Sequence, residues 1–271
     1  TTRSFRARDS ELINIGSDHF RIEGTVASDT IAFGYQKTDT GFQKRVSHSG
    51  VTKPQSLHLG TITTVLFEPN DLQLILGSPD RRRRYLDLIL SQTDQTYLKN
   101  LHRYRRTLQQ RNQLLSHWQG NHNELFAWSV KLAELATDIH HARTKLITHI
   151  NQLAQDMYQQ IAGDPEPLIL TYIGAADTAD YTSDFLAKLE ASTQRDLAAG
   201  FTTIGPHRDD FDISFKGQDI TAVASRGEMR TVVLCLKLAE LEYVRSSSKT
   251  APILLLDDVF SELDESRRAH L

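Results

Sequence analysis

Apolar side chains recur at alternating steps of three and four through the middle of the chain, and this pattern limits the possible folds more than any other feature. Tyr97, Leu101, Tyr104, Leu108, Leu115 and Trp118 keep the spacing, interrupted only at Arg111. After the polar stretch Gln119-Gly120-Asn121-His122-Asn123 it resumes at Leu125, Trp128, Leu132, Leu135, Ile139, Ala142, Leu146, Ile150, Leu153 and Met157. Steps of this kind set the side chains on one narrow helical stripe. Two helices of about 35 residues joined by so short a loop fold back as an antiparallel hairpin that buries both stripes. Gly163-Asp164-Pro165 ends the second helix.

The flanking segments have a different period. Over 19–67 an antiparallel sheet is expected: Phe20, Ile22 and Val26 alternate with polar residues, Ile31, Phe33 and Tyr35 do the same, and Asp39-Thr40-Gly41 is a turn signal. The run Ile62 to Phe67 stops at Glu68-Pro69-Asn70-Asp71. Beyond the hairpin, Leu168 to Ile173 reads as a strand and 183–198 as a helix capped by Ser183 or Asp184. Phe211, Ile213 and Phe215 form a strand closed by a turn at Lys216-Gly217, and 227–245 is a helix. Ile253-Leu254-Leu255-Leu256 is a continuous apolar run, as in a strand covered on both faces of a parallel sheet. The expected architecture is α/β: 1–79 mostly antiparallel strands, 80–162 the helical hairpin lobe, and 163–271 the rest of the sheet-bearing lobe.

Composition removes several classes of function. A single cysteine, Cys235, excludes a disulfide framework and a cysteine zinc site, and fits a reducing cytosol. No apolar run reaches the roughly 18–20 residues of a membrane span, and the polar, basic start is not a signal peptide. The net charge of −3 means that any nucleic acid must be met by a local patch. Residues 81–111 hold one. Arg81, Arg82, Arg83, Arg84, Lys99, Arg103, Arg105, Arg106 and Arg111 face only Asp87 and Asp94, a local net of +7. Such a stripe suits phosphate contacts that are salt-dependent and indifferent to sequence. The other reading is a solvated helix face with internal ion pairs, for which few acids are available. Arg81 to Arg84 circle one helical turn, so one or two of them must pack inward.

Two segments carry chemistry. Asp257-Asp258 ends the apolar strand at the carboxyl edge of a sheet, where α/β proteins bind ligands. One carboxylate there can hold magnesium and the next can polarise an attacking water, the Walker B arrangement; Asp258 can equally cap a helix starting near Ser261. Ser225-Arg226-Gly227-Glu228-Met229-Arg230-Thr231 opens a helix whose free N–H groups, hydroxyl and dipole favour an anion. Ser225 and Glu228 also suit a plain capping box. With Ser261-Glu262-Leu263-Asp264 following, the order resembles the signature motif, Walker B and D-loop of ABC-type ATPases, in which the signature loop of one subunit covers the nucleotide held by the other.

Within that superfamily the chain resembles the RecF family of DNA replication and repair proteins. The resemblance rests on Gly205-Pro206-His207-Arg208-Asp209-Asp210, on Ala224 to Thr231 and on Pro252 to Asp264. It also includes Arg3-Ser4-Phe5-Arg6, Phe67 to Leu72, and Gly77 to Asp87 with its four arginines. It implies an ABC-type ATPase head with an antiparallel β-subdomain and an inserted helical hairpin. Asp257 would hold magnesium and Asp258 activate water, with Ser225, Gly227 and Glu228 touching a partner's ATP and Asp264 crossing the dimer interface. Glu68 falls near the Q-loop position, although no glutamine is there. His207, Arg208, Asp209 and Asp210 read either as an interface or nucleotide-sensing network or as an internal ion-pair cluster. The remaining helical histidines, His102, His117, His122, His140, His141 and His149, lack zinc spacing and are expected at solvated positions.

The family carries a P-loop, Gly-x4-Gly-Lys-Ser/Thr, which does not occur in this sequence. The expectation is a fragment without the P-loop and without the strand and switch histidine after the D-loop, and so without ATPase activity alone. The parent would be a slow, DNA-stimulated ATPase of the bacterial cytoplasm and nucleoid. It would dimerise on ATP at double-stranded DNA near single-strand gaps and work with RecR and RecO to load RecA. The rival readings are an SMC-like chromosome-organising head and a docking module with vestigial ATPase motifs. The first is disfavoured by so short a hairpin.

Overall fold

The computed structural model describes residues 9–26, 29–53, 60–163, 167–176, 178–248 and 251–257; Arg3 to Arg6, Asp258 and Ser261 to Asp264 lie outside them. After a 3-10 turn at Asp9–Leu12 come β1 (His19–Val26), β2 (Asp29–Thr38), β3 (Gly41–His48) and β4 (Val51–Lys53), an antiparallel sheet in chain order. Phe20 faces Tyr35 across it, and the rings of Phe20, Tyr35 and Phe42 stack at 5.7 and 5.3 Å. β5 (Thr64–Phe67), a 3-10 turn at Pro69–Leu72 and α1 (Gln73–Leu76) lead into α2 (Pro79–Thr93), α3 (Gln95–Ser116) and α4 (His122–Ala162). Then follow β6 (Leu168–Ile173), α5 (Tyr181–Ala191), α6 (Thr193–Ala199), β7 (Asp210–Phe215) and β8 (Gln218–Asp219). α7 (Ile220–Val223), α8 (Arg226–Ser247) and β9 (Ile253–Leu256) close the order.

The hairpin forms with α3 against α4. Asn121 caps α4 by accepting from the Glu124 N–H at 3.1 Å, and Gly163 ends it in the left-handed conformation at φ 66° that glycine adopts without penalty. Two helices expected to be continuous are broken. Asp94 is extended, and its carboxylate accepts from the N–H groups of Thr96 and Tyr97 at 2.7 and 3.1 Å, so α2 stops and α3 starts afresh. The helix expected at 183–198 starts earlier, because Asp180 caps it through the Ser183 N–H, and it divides at Ser192.

α4 is the axis of the core: α3, α5, α8 and β6 all pack on it. Leu132, Ala136, Ile139, Leu146, Ile150 and Ala154 of α4 lie in one buried cluster with Leu101, Phe185, Phe211, Phe215 and Leu236. The hairpin and the following sheet therefore share a core. β6, β7 and β8 form an antiparallel sheet, and Lys216 (φ 53°) and Gly217 (φ 75°) supply the paired left-handed residues of a tight β7–β8 turn. The outer edge of β6 is closed by side chains of α4. Asn151 exchanges two hydrogen bonds with the Leu170 backbone at 2.6 and 2.7 Å, and Gln155 accepts from the Leu168 N–H at 2.6 Å. An exposed strand edge is thereby denied to another chain.

The strand ending at Phe67 does not belong to the antiparallel sheet as expected. β5 pairs in parallel with β9, Thr64 opposite Ile253 and Phe67 opposite Leu256. β9 is also less covered than its apolar run predicts. Only Leu254 packs on the core, while Ile253, Leu255 and Leu256 are exposed, because β5 is its only strand neighbour among the described residues.

Candidate nucleotide and nucleic-acid surfaces

The parallel pairing of β5 and β9 decides where the acids stand. Since Phe67 and Leu256 are opposite each other, Glu68 and Asp257 leave the sheet side by side at two strand carboxyl ends, and the Asp257 N–H donates to the Phe67 carbonyl at 2.9 Å. Asp257 is exposed. The turn after Phe67 is tied reciprocally. The Asp71 carboxylate accepts from the Glu68 N–H at 3.0 Å, and the Glu68 carbonyl accepts from the Asp71 N–H at 2.9 Å. Burial, then the charges of Asp71 and Asp257, push the Glu68 carboxyl above its ordinary range; burial does the same to Asp71.

Beneath this edge lies Lys237 of α8, which sequence reasoning passed over inside an apolar helix. It is buried, donates to Glu240 at 2.6 Å, and stands over the rings of Phe67 and Tyr85 at 5.7 and 5.8 Å. Its charge partly offsets the desolvation of Glu68, Asp71 and Glu240. A cavity of about 430 Å³ opens beside Glu68, Asp71, Arg81 and Lys237. Among the described residues no group of three or more His, Cys, Asp or Glu side chains is arranged to hold a metal. An exposed carboxylate at a strand end nonetheless fits a magnesium that takes its other ligands from phosphate and water.

At the start of α8 the capping box is formed. Ser225 Oγ accepts from the Glu228 N–H at 3.3 Å, and the Glu228 carboxylate accepts from the Ser225 N–H at 2.7 Å and from Lys216 Nζ at 3.0 Å. The Ser225 backbone N–H first and Lys216 second hold the Glu228 carboxyl down at about 2. The cap does not occupy the whole site. Ser225 and Arg226 are exposed, and a Cβ at Gly227 would meet only Ser225 Oγ, at 4.0 Å. The chain's own packing therefore does not require glycine at 227. Ser225 lies twelve residues before Lys237 on one helix, about 18 Å along its axis.

The cluster His207 to Asp210 is turned into the molecule, and three of its four side chains are committed there. Asp210 takes a two-pronged pair from Arg82, both contacts at 2.7 Å. Asp209 accepts the Tyr172 hydroxyl at 2.8 Å, and its carbonyl accepts Arg83 at 2.8 Å. His207 Nδ1 meets the Tyr104 hydroxyl at 2.7 Å and its Nε2 meets the Thr202 carbonyl at 3.0 Å. A carbonyl only accepts, so Nε2 carries the proton and Tyr104 donates to Nδ1. Burial, the largest influence, lowers the imidazole to about 4. Arg208 alone faces outward, over the Phe201 ring at 5.2 Å. The turn needs Gly205: its φ is 121°, and a Cβ there would stand 2.8 Å from the Tyr104 oxygen and 2.9 Å from the Phe185 ring.

The arginines expected on DNA divide sharply. Arg111 is withdrawn from the surface: it and Asp196 are both 0 % exposed and pair at 2.8 Å, with Thr202 and Ser129 filling further donors. Its position on the apolar stripe was the signal. Arg82 and Arg83 are likewise held by Asp210 and the Asp209 carbonyl. Arg81, Arg84, Lys99, Arg103, Arg105 and Arg106 remain exposed. Arg143, which the sequence reading missed, sits next to the stripe residue Ala142 and is buried, donating to Asp87 at 2.7 Å and to the Pro206 carbonyl at 2.7 Å. His140, expected in solvent, is buried and stacked on Tyr181 at 4.1 Å.

No family model matches the chain. It is 35% identical over 284 residues to the DNA replication and repair protein RecF of Ruminiclostridium cellulolyticum, covering 99% of this chain and 76% of that protein. RecF of Agathobacter rectalis is 34% identical over 281 residues, covering 100% and 75%. Among solved structures, that of the recombination mediator protein RecF with ATP in the RecFOR pathway superposes with a TM-score of 0.91 at 32% identity, over 99% of this chain and 75% of that one. A second, the RecF-ATPrS structure, gives 0.88 at 33% identity over 98% and 75%.

Proposed function

The chain belongs to the RecF family of DNA replication and repair proteins, with the fold of an ABC-type ATPase head and a role in recombinational repair, and from that premise we propose that it forms half of a nucleotide-gated clamp on DNA. The separation of Ser225 from Asp257 carries the reading. About 18 Å of α8 lies between the signature serine and Lys237, which acts on Glu68 and Asp71 beside the Walker B edge, so on this reading the two surfaces serve two different nucleotides. Asp257 faces the nucleotide of its own subunit and is placed to hold a magnesium, which would neutralise phosphate charge there. Ser225, with the N–H groups around Gly227, meets the γ-phosphate held by a second copy. Asp258 as the water-activating acid and Asp264 as the interface acid lie outside the described residues and stand on the motif.

Lys237 joins the two ends: it lies under Glu68 and Asp71 on the helix that starts at Ser225. The exposed cations Arg81, Arg84, Arg103, Arg105 and Arg106 supply the DNA face. Two heads present twice the cationic surface, so ATP raises DNA affinity through dimerisation. On this reading the clamp acts at double-stranded DNA beside single-strand gaps, in the bacterial cytoplasm and nucleoid, with RecR and RecO and upstream of RecA. The described residues contain no helix long and apolar enough to cross a membrane.

Light scattering on a chain that carries the family's P-loop tests this, with and without ATP and magnesium. The expected result is a doubling of mass with ATP that Ser225→Arg abolishes. A mass that ignores ATP, or a Ser225→Arg variant that still doubles, returns the chain to the docking-module reading.

A further inference from the structure

A cleft of about 570 Å³ opens between α2 and α3, roofed by Pro206 and His207. Four guanidinium groups line it, Arg83, Arg84, Arg105 and Arg143, against the carboxylates of Asp80 and Asp87. Its wall therefore carries a net positive charge in a chain whose overall charge is negative. The two acids are not equal. Asp87 is saturated, one oxygen accepting Tyr97 at 2.6 Å and Arg143 at 2.7 Å, the other Arg105 at 2.9 Å. Asp80 stands in solvent and reaches Arg84 at 3.2 Å and Arg83 at only 3.9 Å.

We propose that this cleft seats a phosphate group of DNA, gripped by Arg84 from the α2 wall and Arg105 from the α3 wall. The proposal rests on the DNA reading above and narrows it from a charged face to a particular seat. Arg105 is the mobile jaw. Its side chain is 59 % exposed, so turning from Asp87 to an incoming phosphate breaks a pair of small worth. Asp87 keeps its bonds to Arg143 and Tyr97 when Arg105 leaves, so no buried carboxylate is orphaned. Asp80 and Asp87 thus act as internal stand-ins that hold both guanidiniums in place before a phosphate arrives. Leu88, Leu98 and Leu101 line the cleft as well. The volume lies in the range of small-ligand clefts and leaves room for the nucleotide that bears the phosphate. That phosphate can be an internal phosphodiester or the terminal 5′-phosphate at a gap.

Residue-resolved phenylglyoxal labelling distinguishes the outcomes, reading Arg84 and Arg105 against Arg103 and Arg106, which are exposed but off the cleft. The chain is labelled alone, then with intact duplex, with gapped duplex bearing a 5′-phosphate, and with the same gap ending in a 5′-hydroxyl. Protection of Arg84 and Arg105 by all three DNAs assigns an internal phosphodiester; protection by the phosphorylated gap alone assigns the terminal group. If Arg103 and Arg106 are shielded while Arg84 and Arg105 label freely in every case, the cleft is overturned and the DNA face stands. If none of the four is shielded, both fall. Arg105→Gln should weaken binding of the DNA that protects the cleft about three- to tenfold at low salt and flatten the salt slope by about one. Arg105→Lys should restore the slope. Unchanged affinity and slope in Arg105→Gln would refute the seat.

Discussion

α2, α3 and α4 carry arginines of one chemistry in two opposite situations. On the inner side Arg82, Arg111 and Arg143 are matched one by one to Asp210, Asp196 and Asp87; the first two pairs tie α2 and α3 to later segments of the chain, and the third ties α4 back to α2. On the outer side Arg81, Arg103 and Arg106 are exposed. The inner set are structural ties between elements distant in sequence, and the exposed ones, with Arg84 and Arg105 beside the three just named, are available to a polyanion. A local net of +7 therefore overstates the cationic face. The comparison also explains how this chain gathers so many arginines in one segment without making a uniformly sticky surface.

The strongest way to break this division is to remove an inner arginine. Arg111→Met strands Asp196 without its partner in a fully buried site, and should lower unfolding free energy by about 3–5 kcal/mol in urea denaturation. Adding Asp196→Leu should recover much of that loss, because the orphaned charge is then gone. A loss under about 1 kcal/mol for Arg111→Met, the range of an exposed pair, would show that the buried pair does not hold the hairpin to α6.

How much of this was legible beforehand follows from the same contrast. The apolar stripe revealed the α3–α4 hairpin because its period is local, and Arg111, its one interruption, marked a buried charge without naming Asp196 as the partner. That partner is far away in sequence, and no spacing rule reports it. The same limit hid Lys237 beneath Glu68 and Asp71. The break at Asp94 escaped because one extended residue between two helices hardly disturbs the apolar period, although an aspartate cap was a readable sign. The run Ile253 to Leu256 announced a parallel strand, but periodicity cannot say that β5 is its neighbour or how much of it is covered. Ser225 with Glu228 was readable as a capping box, and the box is formed; the room around Gly227 needed coordinates.

The outer arginines give a smaller effect of a different kind. Arg103→Gln with Arg106→Gln should leave stability within about 0.5 kcal/mol, since neither holds an inner tie. The pair of substitutions should reduce duplex affinity and make the salt dependence shallower by about two phosphate contacts, read by fluorescence anisotropy at two or more salt concentrations. Lost stability with unchanged affinity would reverse the roles assigned to the two sides.

The smallest effect comes from His207, which lines the same cleft as Arg105 and Arg143. Its folded value of about 4 lies below the ordinary 6.5, so the folded chain refuses a proton that the unfolded chain accepts. Above pH 6.5 both states are neutral at this residue and it adds no pH dependence. As pH falls from 6.5 to about 4, stability drains away through His207; below 4 both states are protonated and the drain stops. Charging Nδ1 also removes the acceptor that Tyr104 donates to. Melting curves of the wild type and of His207→Gln, compared across pH 7.5 to 4.5, should therefore diverge in one direction. The wild type loses more stability on acidification than the variant, by an increment confined to that window. Parallel curves would mean that His207 is solvated and that the 205–210 turn is not closed over α3.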